Sequence, residues 1–216
     1  MNARPAITAV ISDFGGVLTT PLLESFTAFQ DSSGISLEQL GAAMGKVSER
    51  EGVQPLIELE TGRMTEARFL ELLSDQLSEQ LGREVTLHGF GERYFEALHP
   101  NERMIDYMRE LRERGYRLAI CTNTVREWER RWRAMLPVDE IFEVVVDSAF
   151  VGTRKPEPRI FELTLERLGV AAPEALLVDD LEHNCDAARA MGLEAVRFRS
   201  TEQAIGEIEE RLAGAK

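Results

Sequence analysis

The sequence predicts an α/β fold: a doubly wound, Rossmann-like parallel sheet with an inserted helical cap subdomain. Two observations lead to this prediction. One β-rich run, residues 7–12, is followed by roughly eighty residues without a strand pattern. From Asn101 onward, strand-like and helix-like segments alternate, which is typical of parallel strands joined by right-handed crossovers.

The helical stretch interrupts the chain directly after the first strand. Because residues 7–12 have the apolar composition of a central strand, we expect residues 1–20 and 98–216 to form one α/β core. Residues 21–97 would then form a cap over the edge of the sheet. The pattern predicts one cap helix directly, with Thr65 as its N-cap. Apolar residues recur at helical spacing after Thr65, namely Phe69, Leu70, Leu73 and Leu77.

The second half of the chain supplies the other elements in order. Asn101 can cap a helix that Gly115 ends, and Gly169 and Gly192 end two later helices. The predicted strands are 116–121, 142–147, 175–180 and 194–198, and the predicted helices are 102–114, 125–135, 158–168, 183–191 and 202–213.

The composition limits the classes of partner. The formal net charge of -13 would repel a phosphate backbone, so we expect binding neither to nucleic acid nor to an anionic membrane. No apolar run approaches the ~20 residues of a membrane span, and the N-terminus lacks a signal-peptide core. Cys121 and Cys185 suit reduced thiols. These features predict a cytoplasmic protein, and no pattern sets its oligomeric state.

Polar side chains follow the predicted strands at the points where those strands end. The carboxyl ends of parallel strands meet at one edge of a sheet, so these side chains should converge there. A lysine before Pro156 should project from a loop, because proline biases the preceding residue away from helix. The residues concerned are Asp13, Thr122, Asn123, Lys155, Asp179 and Asp180.

Three carboxylates so close together need a counterion, and Mg²⁺ with its preference for oxygen ligands is the natural one. A carboxylate beside such an ion can attack phosphorus and form an aspartyl-phosphate that water hydrolyses. The lysine would neutralise the substrate and hold the nucleophile. We therefore expect a small phosphorylated metabolite as the partner.

Four motifs in this order resemble the haloacid dehalogenase-like hydrolase superfamily. They are "DFGGVLT" from Asp13, "CTN" around Thr122, "RKPEPRIF" around Lys155 and "LLVDDLEHNCDAARAMG" around Asp179 and Asp180. Among its members, the chain looks like those with a helical cap between the first two motifs. It is most similar to small sugar-phosphate phosphatases and to the phosphatase domain of soluble epoxide hydrolase.

The resemblance implies a role for each matched residue. Asp13 would be the nucleophile and a metal ligand, and the main-chain carbonyl of Gly15 a second ligand. Asp180 would be the other metal carboxylate, while Asp179 would ligate the metal or orient its surroundings. Thr122 and the backbone after it, at Asn123, would bind the transferring phosphoryl oxygens together with Lys155.

One position departs from most phosphatases of the superfamily. The residue two after the nucleophile is usually an aspartate that acts as general acid and base, and here it is Gly15. Loss of such a group lowers the rate by about 10² to 10⁴-fold where nothing replaces it. The sugar-phosphate phosphatases that the chain resembles share this glycine, so activity is still expected.

Two other functions fit parts of the pattern. A metal-free 2-haloacid dehalogenase uses the same aspartate to attack carbon, but the acid pair Asp179–Asp180 and the lack of an aromatic residue at position 15 argue against it. A catalytically silent regulatory module on the same fold is suggested only by Gly15. The intact Asp13 and Lys155 argue against that alternative.

Two further segments have both a functional and a structural interpretation. Residues 126–133 interleave arginines with Trp128 and Trp132, which an amphipathic helix that buries its tryptophans explains more simply than a phosphate clamp. In the cap, Glu60 or Arg63 could approach the substrate, or both could belong to an exposed helix terminus.

Overall fold

The computed structural model describes residues 6–21, 27, 30, 33–87 and 89–214. The sequence predictions for the two termini and for cap residues 22–26, 28–29, 31–32 and 88 therefore fall in part outside the described residues.

A five-stranded parallel sheet forms the centre of the protein, in the order β3-β2-β1-β4-β5. This arrangement confirms the predicted fold class. The strands are β1 (Ala9–Ser12), β2 (Arg117–Thr122), β3 (Val144–Asp147), β4 (Ala175–Asp179) and β5 (Glu194–Arg197). Every residue of β1 is buried, as expected for a strand with neighbours on both sides.

Side chains of the strands alternate between two hydrophobic clusters, one on each face of the sheet. Val10 and Ile120 pack on one face, whereas Ile11 and Cys121 pack on the other. This period of two follows from the pleat of a strand. The register pairs Ser12 with both Ile120 and Val178, so the carboxyl ends of β1, β2 and β4 lie side by side.

Helices cover both faces of the sheet and fill the stretch between β1 and β2. In chain order they are α1 (Leu37–Glu51), α2 (Pro55–Glu60), α3 (Glu66–Leu81), α4 (Phe90–Glu96), α5 (Glu102–Glu113), α6 (Glu129–Arg133), α7 (Val138–Ile141), α8 (Ser148–Val151), α9 (Pro158–Leu168), α10 (Glu182–Ala190) and α11 (Thr201–Ala213). Two short 3₁₀ turns precede α6 and β4, at Arg126–Trp128 and Ala172–Glu174.

The prediction of one continuous helix over residues 125–135 is wrong. The segment forms a 3₁₀ turn followed by the five-residue α6, and Trp132 is buried while Trp128 is half-buried. Helices α7 and α8, of four residues each, are absent from the sequence prediction. One turn is too short to show a hydrophobic period, which explains their omission.

Helices α1 to α3 bury a hydrophobic cluster of their own above the sheet. Leu40, Leu59 and Leu73 contribute to this cluster from α1, α2 and α3. Thr65 caps α3 as predicted, because its side chain accepts a hydrogen bond from the backbone N–H of Arg68. The split between core and cap at residues 20 and 98 itself stays a prediction.

The end of α2 lies directly against the core beside α8. The Ser148 hydroxyl donates a hydrogen bond to the carbonyl oxygen of Glu60 at 2.5 Å, and the backbone N–H of Glu66 donates to the Glu127 carboxylate at 3.2 Å. Gly62 permits this approach, since a Cβ at position 62 would overlap the carbonyl oxygen of Ala149. None of the helices in the described ranges is long and apolar enough to cross a membrane.

We expect Gly62→Ala to destabilise the protein more than Gly52→Ala. Both glycines have positive φ, 68° and 72°, so both substitutions carry a strain of about 1–2 kcal/mol. Only position 62 adds a steric overlap, worth roughly 1–3 kcal/mol more, because nothing lies within 4 Å of a Cβ at position 52. Urea denaturation measures both free energies of unfolding, and equal losses would contradict the close contact at Gly62.

Candidate active site

The carboxyl edge of the sheet brings the three predicted aspartates together. Asp13 follows β1, and Asp179 ends β4 with Asp180 next in the chain. One carboxylate oxygen from each of the three lies within 4.8 Å of the others. Three like charges at this distance repel one another unless cations offset them.

Lys155 supplies one such cation from inside the protein. Its side chain is 1% exposed, and Nζ lies 2.9 Å from Oδ1 of Asp13 and 2.6 Å from Oδ2 of Asp179. Burial alone would lower the pKa of Lys155, but the charges of Asp13 and Asp179 outweigh burial and raise it. Lys155 is therefore a permanent ammonium group between two carboxylates.

The side chain of Asn123 holds the backbone of Lys155 through two hydrogen bonds. Its Nδ2 donates to the carbonyl oxygen of Lys155 at 2.9 Å, and its Oδ1 accepts from the backbone N–H of Lys155 at 2.8 Å. The peptide bond that follows, to Pro156, is cis. The side-chain amide therefore positions Lys155, and the phosphate binding expected of the backbone at Asn123 stays a prediction.

The two oxygens of the Asp13 carboxylate have different surroundings. Oδ1 accepts hydrogen bonds from the backbone N–H of Phe14 at 2.7 Å and from Lys155. No residue in the described part of the chain donates to Oδ2. Burial raises the pKa of Asp13 to about 7, with Lys155 acting against this rise and Asp179 and Asp180 adding to it. Oδ2 is the oxygen left for a substrate or a cation.

Asp179 is fully buried and uses both oxygens within the protein. Oδ2 accepts from Lys155, and Oδ1 accepts from the backbone N–H of Leu181 at 3.0 Å and from Nδ2 of Asn184 at 2.9 Å. Of the two roles expected for Asp179, these bonds favour orienting its neighbours over ligating a metal. Asn184 belongs to the fourth sequence motif, and its hydrogen bond helps to fix the orientation of the Asp179 carboxylate.

Asp180 faces the loop that carries the two glycines after Asp13. Burial and the neighbouring Asp179 raise the pKa of Asp180, and Lys155 opposes them. A Cβ at Gly16 would lie 2.7 Å from Oδ2 of Asp180, and Gly16 has a φ of 75°. The loop therefore needs glycine at position 16 on two grounds. Gly15 does not have a positive φ, so its backbone conformation is open to other residues.

Thr122 ends β2 and is 2% exposed. Its hydroxyl makes no hydrogen bond to any residue that the structure describes. Since β2 lies beside β1 in the sheet, this hydroxyl is available at the same edge as Asp13. Its position agrees with the expected role in binding an anion.

Two cap residues extend the site on the side opposite the sheet. Glu60 ends α2, and burial raises the pKa of its carboxyl while Arg154 and Lys155 lower it. Nε of Arg154 lies 2.9 Å from Oε2 of Glu60, but the pair is not aligned as a hydrogen bond. Burial, followed by the charges of Asp13, Asp180 and Glu60, raises the pKa of Tyr94.

Only one of these two residues was among the sequence candidates. Glu60 was named with Arg63, and the structure directs Arg63 instead to the exposed side, where its guanidinium pairs with Glu58 at 2.9 Å. Tyr94 was not predicted, because a tyrosine in an amphipathic helix carries no signal that separates a site residue from a core residue.

A cavity of about 270 Å³ lies between the cap helices and the carboxyl edge of the sheet. Glu60, Tyr94 and Asn123 are among the described residues that line it, and most of the others are apolar. The three aspartates are not among the described residues that line it. A more open depression beside Gly52 and Val53 measures about 500 Å³, but none of the acidic residues of the site lines it.

Asp147, at the end of β3, is a further buried acid that the sequence analysis did not single out. Its Oδ1 accepts a hydrogen bond from the backbone N–H of Ala149 at 2.9 Å. Its Oδ2 and the indole Nε1 of Trp132 both lack a hydrogen bond of normal geometry. Burial raises the pKa of Asp147 to about 7, against the lowering effect of the Ala149 N–H.

Comparison with known proteins identifies relatives along most of the chain. A family model described as haloacid dehalogenase-like hydrolase matches residues 7–192. The chain is 30% identical to a phosphorylated carbohydrates phosphatase of Thermotoga maritima over 193 residues, which is 87% of this chain and 83% of that protein.

Two other relatives match over a smaller share of their own length. Acyl-CoA dehydrogenase family member 10 of Mus musculus is 31% identical over 162 residues, 72% of this chain and 15% of that protein. Glyceraldehyde 3-phosphate phosphatase of Pyrococcus abyssi is 44% identical over 92 residues, 41% of this chain and 38% of that protein. The chain therefore spans less than half the length of these two relatives.

Solved structures share the fold. A haloacid dehalogenase (HAD) family enzyme of Bacteroides thetaiotaomicron, in complex with magnesium and inorganic phosphate, has a TM-score of 0.64 at 23% identity and covers 90% of this chain and 96% of its own. An L-2-haloacid dehalogenase also has a TM-score of 0.64, at 20% identity, over 91% of this chain and 88% of its own.

We expect Asp147→Asn to remove part of the pH dependence of stability. The folded pKa of about 7 lies above the ordinary 3.8, so the contribution of Asp147 is complete below about pH 4 and is lost as the pH rises through 7. The amide keeps the Oδ1 acceptor without titrating. Relative to wild type, the variant should gain roughly 2–4 kcal/mol in free energy of unfolding between about pH 5 and about pH 8.

Urea denaturation at the two pH values measures this difference. Asp139→Asn is the matched control, because the Asp139 side chain is 84% exposed and should change the pH dependence little. A wild-type pH dependence that Asp147→Asn leaves intact would contradict the buried, uncompensated carboxylate at position 147.

Proposed function

The chain belongs to the haloacid dehalogenase-like hydrolases, and we propose that it hydrolyses a phosphoric monoester of a small metabolite with Asp13 as the nucleophile. The observation that carries this proposal is the buried Lys155 ammonium between Asp13 and Asp179, with Asp180 within reach of both carboxylates. The relatives named as phosphatases of glyceraldehyde 3-phosphate and of phosphorylated carbohydrates support the same reaction class.

The donor atoms at this edge fit Mg²⁺. The carboxylates of Asp13 and Asp180 lie close enough together to offer the oxygen ligands that this ion prefers, and the main-chain carbonyl of Gly15 would be a further ligand. Asp179 would act through Lys155 and Asn184 instead, because its oxygens already accept three hydrogen bonds. A bound Mg²⁺ offsets the negative charge of the carboxylates and of the phosphoryl group.

The chain's own residues provide the two displacement steps. A carboxylate oxygen of Asp13 bonds to phosphorus while the bond from phosphorus to the ester oxygen breaks, and that oxygen leaves as the protonated alcohol. Water then attacks the same phosphorus, the bond to Asp13 breaks, and inorganic phosphate leaves. Lys155 and the Thr122 hydroxyl would hold the phosphoryl oxygens through both steps.

Glu60 is our candidate for the proton donor that Gly15 does not supply. It lines the cavity beside Arg154, the residue before Lys155, and its raised pKa favours a carboxyl group that carries a proton to donate. In this proposal, Glu60 protonates the departing ester oxygen and recovers the proton from the attacking water.

The cap and the cellular setting complete the proposal. Residues 21–97 would act as the cap that closes over the phosphoryl group and excludes water from the first step. The net charge of -13 supports a small-molecule partner rather than nucleic acid, and a cytoplasmic location fits the two free cysteines.

We expect Asp13→Asn to lower the turnover of an aryl phosphate by about 10⁴-fold or more, because an amide is a poor nucleophile. Chelation should abolish wild-type turnover, and added Mg²⁺ should restore it. Asp147→Asn is the matched control, since it removes a buried carboxylate at the same edge that has no part in the proposed chemistry. Phosphate release with p-nitrophenyl phosphate is the measurement.

Three results would reject this assignment. Substantial turnover by purified Asp13→Asn would remove Asp13 from the reaction. Chloride release from 2-chloropropionate that persists in excess chelator would identify a dehalogenase instead. An absence of both activities in the folded protein would favour the catalytically silent module.

We expect Glu60→Gln to make the rate of phosphoryl transfer depend steeply on the pKa of the leaving group. Without a proton donor, esters with acidic leaving groups should react far faster than alkyl esters, and the loss for alkyl esters should reach about 10² to 10⁴-fold. Adding Gly15→Asp to Glu60→Gln should flatten the dependence again, because it supplies a carboxyl group two residues after Asp13 at a position without a positive φ.

Single-turnover rates against leaving-group pKa give this dependence. Glu58→Gln is the control, since Glu58 lies on the same helix but pairs with the exposed Arg63. If the chemical step is rate-limiting and the slope of rate against leaving-group pKa is the same in Glu60→Gln as in wild type, another group donates the proton.

A further inference from the structure

A mainly apolar cavity lies under the cap, beside the proposed phosphoryl site. Asn123 lines it, directly follows Thr122 in the chain and holds the backbone of Lys155 through two hydrogen bonds. Glu60 also lines it, and its carboxylate contacts Arg154, the residue before Lys155. A substrate with its phosphate at Asp13 would extend its leaving group away from the sheet, into this compartment.

Most of the described residues that line the compartment are apolar. Among these described residues, the polar groups beyond Glu60, Asn123 and Tyr94 are the carboxylate of Glu66 and the indole N–H of Trp128. The amide of Asn123 is already bonded to the backbone of Lys155 in both directions. The apolar wall includes Leu59, Phe69, Leu73, Leu87, Phe90 and Trp128.

Stacked aromatic rings fix one side of this wall. Trp128 stacks on Tyr94 with ring centroids 4.8 Å apart and on Phe90 at 6.3 Å. Phe95 meets Trp128 edge-on at 5.4 Å. Four rings held against one another leave little freedom for the wall to rearrange around polar groups.

We propose that the leaving group of the substrate is a compact hydrophobic alcohol bound in this cavity. A sugar would bury several hydroxyl groups against hydrocarbon, and each hydroxyl without a partner costs about 1–3 kcal/mol. An alkyl or cyclic hydrocarbon group instead gains about 0.8 kcal/mol per methylene. The volume of about 270 Å³ is close to the lower end for ligand pockets, roughly 300–1,000 Å³, so the group is small.

This inference rests on the proposed phosphatase activity and narrows its substrate class. The resemblance of the motifs to sugar-phosphate phosphatases concerns the phosphoryl site, whose residues lie at the sheet edge. The cap supplies the compartment for the leaving group. The sheet edge therefore indicates the reaction, and the cap compartment indicates the leaving group.

The test compares esters of primary alcohols that differ in polarity. With Mg²⁺ present, kcat/KM for n-alkyl phosphates should rise about fourfold per added methylene until the cavity is filled, then level off or fall. Glucose 6-phosphate and glycerol 3-phosphate should react at least about tenfold more slowly than n-hexyl phosphate. p-Nitrophenyl phosphate, whose leaving group is acidic and needs no proton donor, reports whether the chemical step occurs at all.

The outcomes separate the two proposals. Hydrolysis of none of these esters, p-nitrophenyl phosphate included, would overturn the proposed phosphatase function. Hydrolysis of the aryl ester together with a preference for sugar phosphates, or no dependence on alkyl length, would overturn the hydrophobic leaving group and leave the phosphatase function standing.

A pair of variants on α3 tests whether this cavity determines the preferred alkyl chain length of the substrate. Leu72 and Leu73 are both buried in the same hydrophobic cluster, but only Leu73 lines the cavity. Leu73→Ala should lengthen the preferred alkyl chain by roughly two to three carbons, whereas Leu72→Ala should leave it unchanged. An equal shift in both variants, or a shift in neither, would contradict the assignment.

A second variant keeps the test valid if Leu73→Ala does not fold. Met44 lines the cavity from α1 and is half-buried, so Met44→Phe should fold and reduce the volume. The preferred chain should then become shorter. Met64→Phe is its control, because Met64 packs against the same cluster without lining the cavity.

Discussion

The buried ammonium group of Lys155 is the interaction on which the rest of the site depends. Removing a charge from water is costly, and the cost is offset here only because Nζ contacts two carboxylates at once. The same lysine in turn holds the two carboxylates together. Asn123 holds the Lys155 backbone, and Asn184 with the Leu181 N–H fixes Asp179. Removal of the Lys155 ammonium group would leave the carboxylates of Asp13 and Asp179 without their shared cation.

Much of this arrangement follows from the sequence, because parallel strands impose it. Asp13 and Asp179 directly follow apolar β-rich runs, and the register that pairs Ser12 with Val178 brings them to one edge. The alternation of strands and helices after Asn101 likewise determined the fold class. Helix α9 matches its predicted bounds, because Pro158 and Gly169 mark both ends.

Other parts depend on side-chain directions that the sequence does not carry. Asn123 lies at the expected place, but its amide turns to the Lys155 backbone. Asp147 follows a strand as Asp13 does, yet it caps α8 and faces the core. The segment 126–133 has the composition of a helix, and the packing of Trp132 on Phe14, with ring centroids 5.2 Å apart, accompanies a 3₁₀ turn and a short helix instead. Such long-range contacts decide local structure where propensity is weak.

The account makes the carboxylate of Asp13 the acceptor of the phosphoryl group beside Lys155. Its most direct test is a crystal structure of the protein with Mg²⁺ and beryllofluoride, which mimics an aspartyl-phosphate. The account predicts a beryllofluoride adduct on the Asp13 carboxylate, with Lys155 Nζ within hydrogen-bond distance of Asp13 or of the adduct. An adduct on another residue, or an Asp13 carboxylate free of adduct at saturating beryllofluoride, would contradict it.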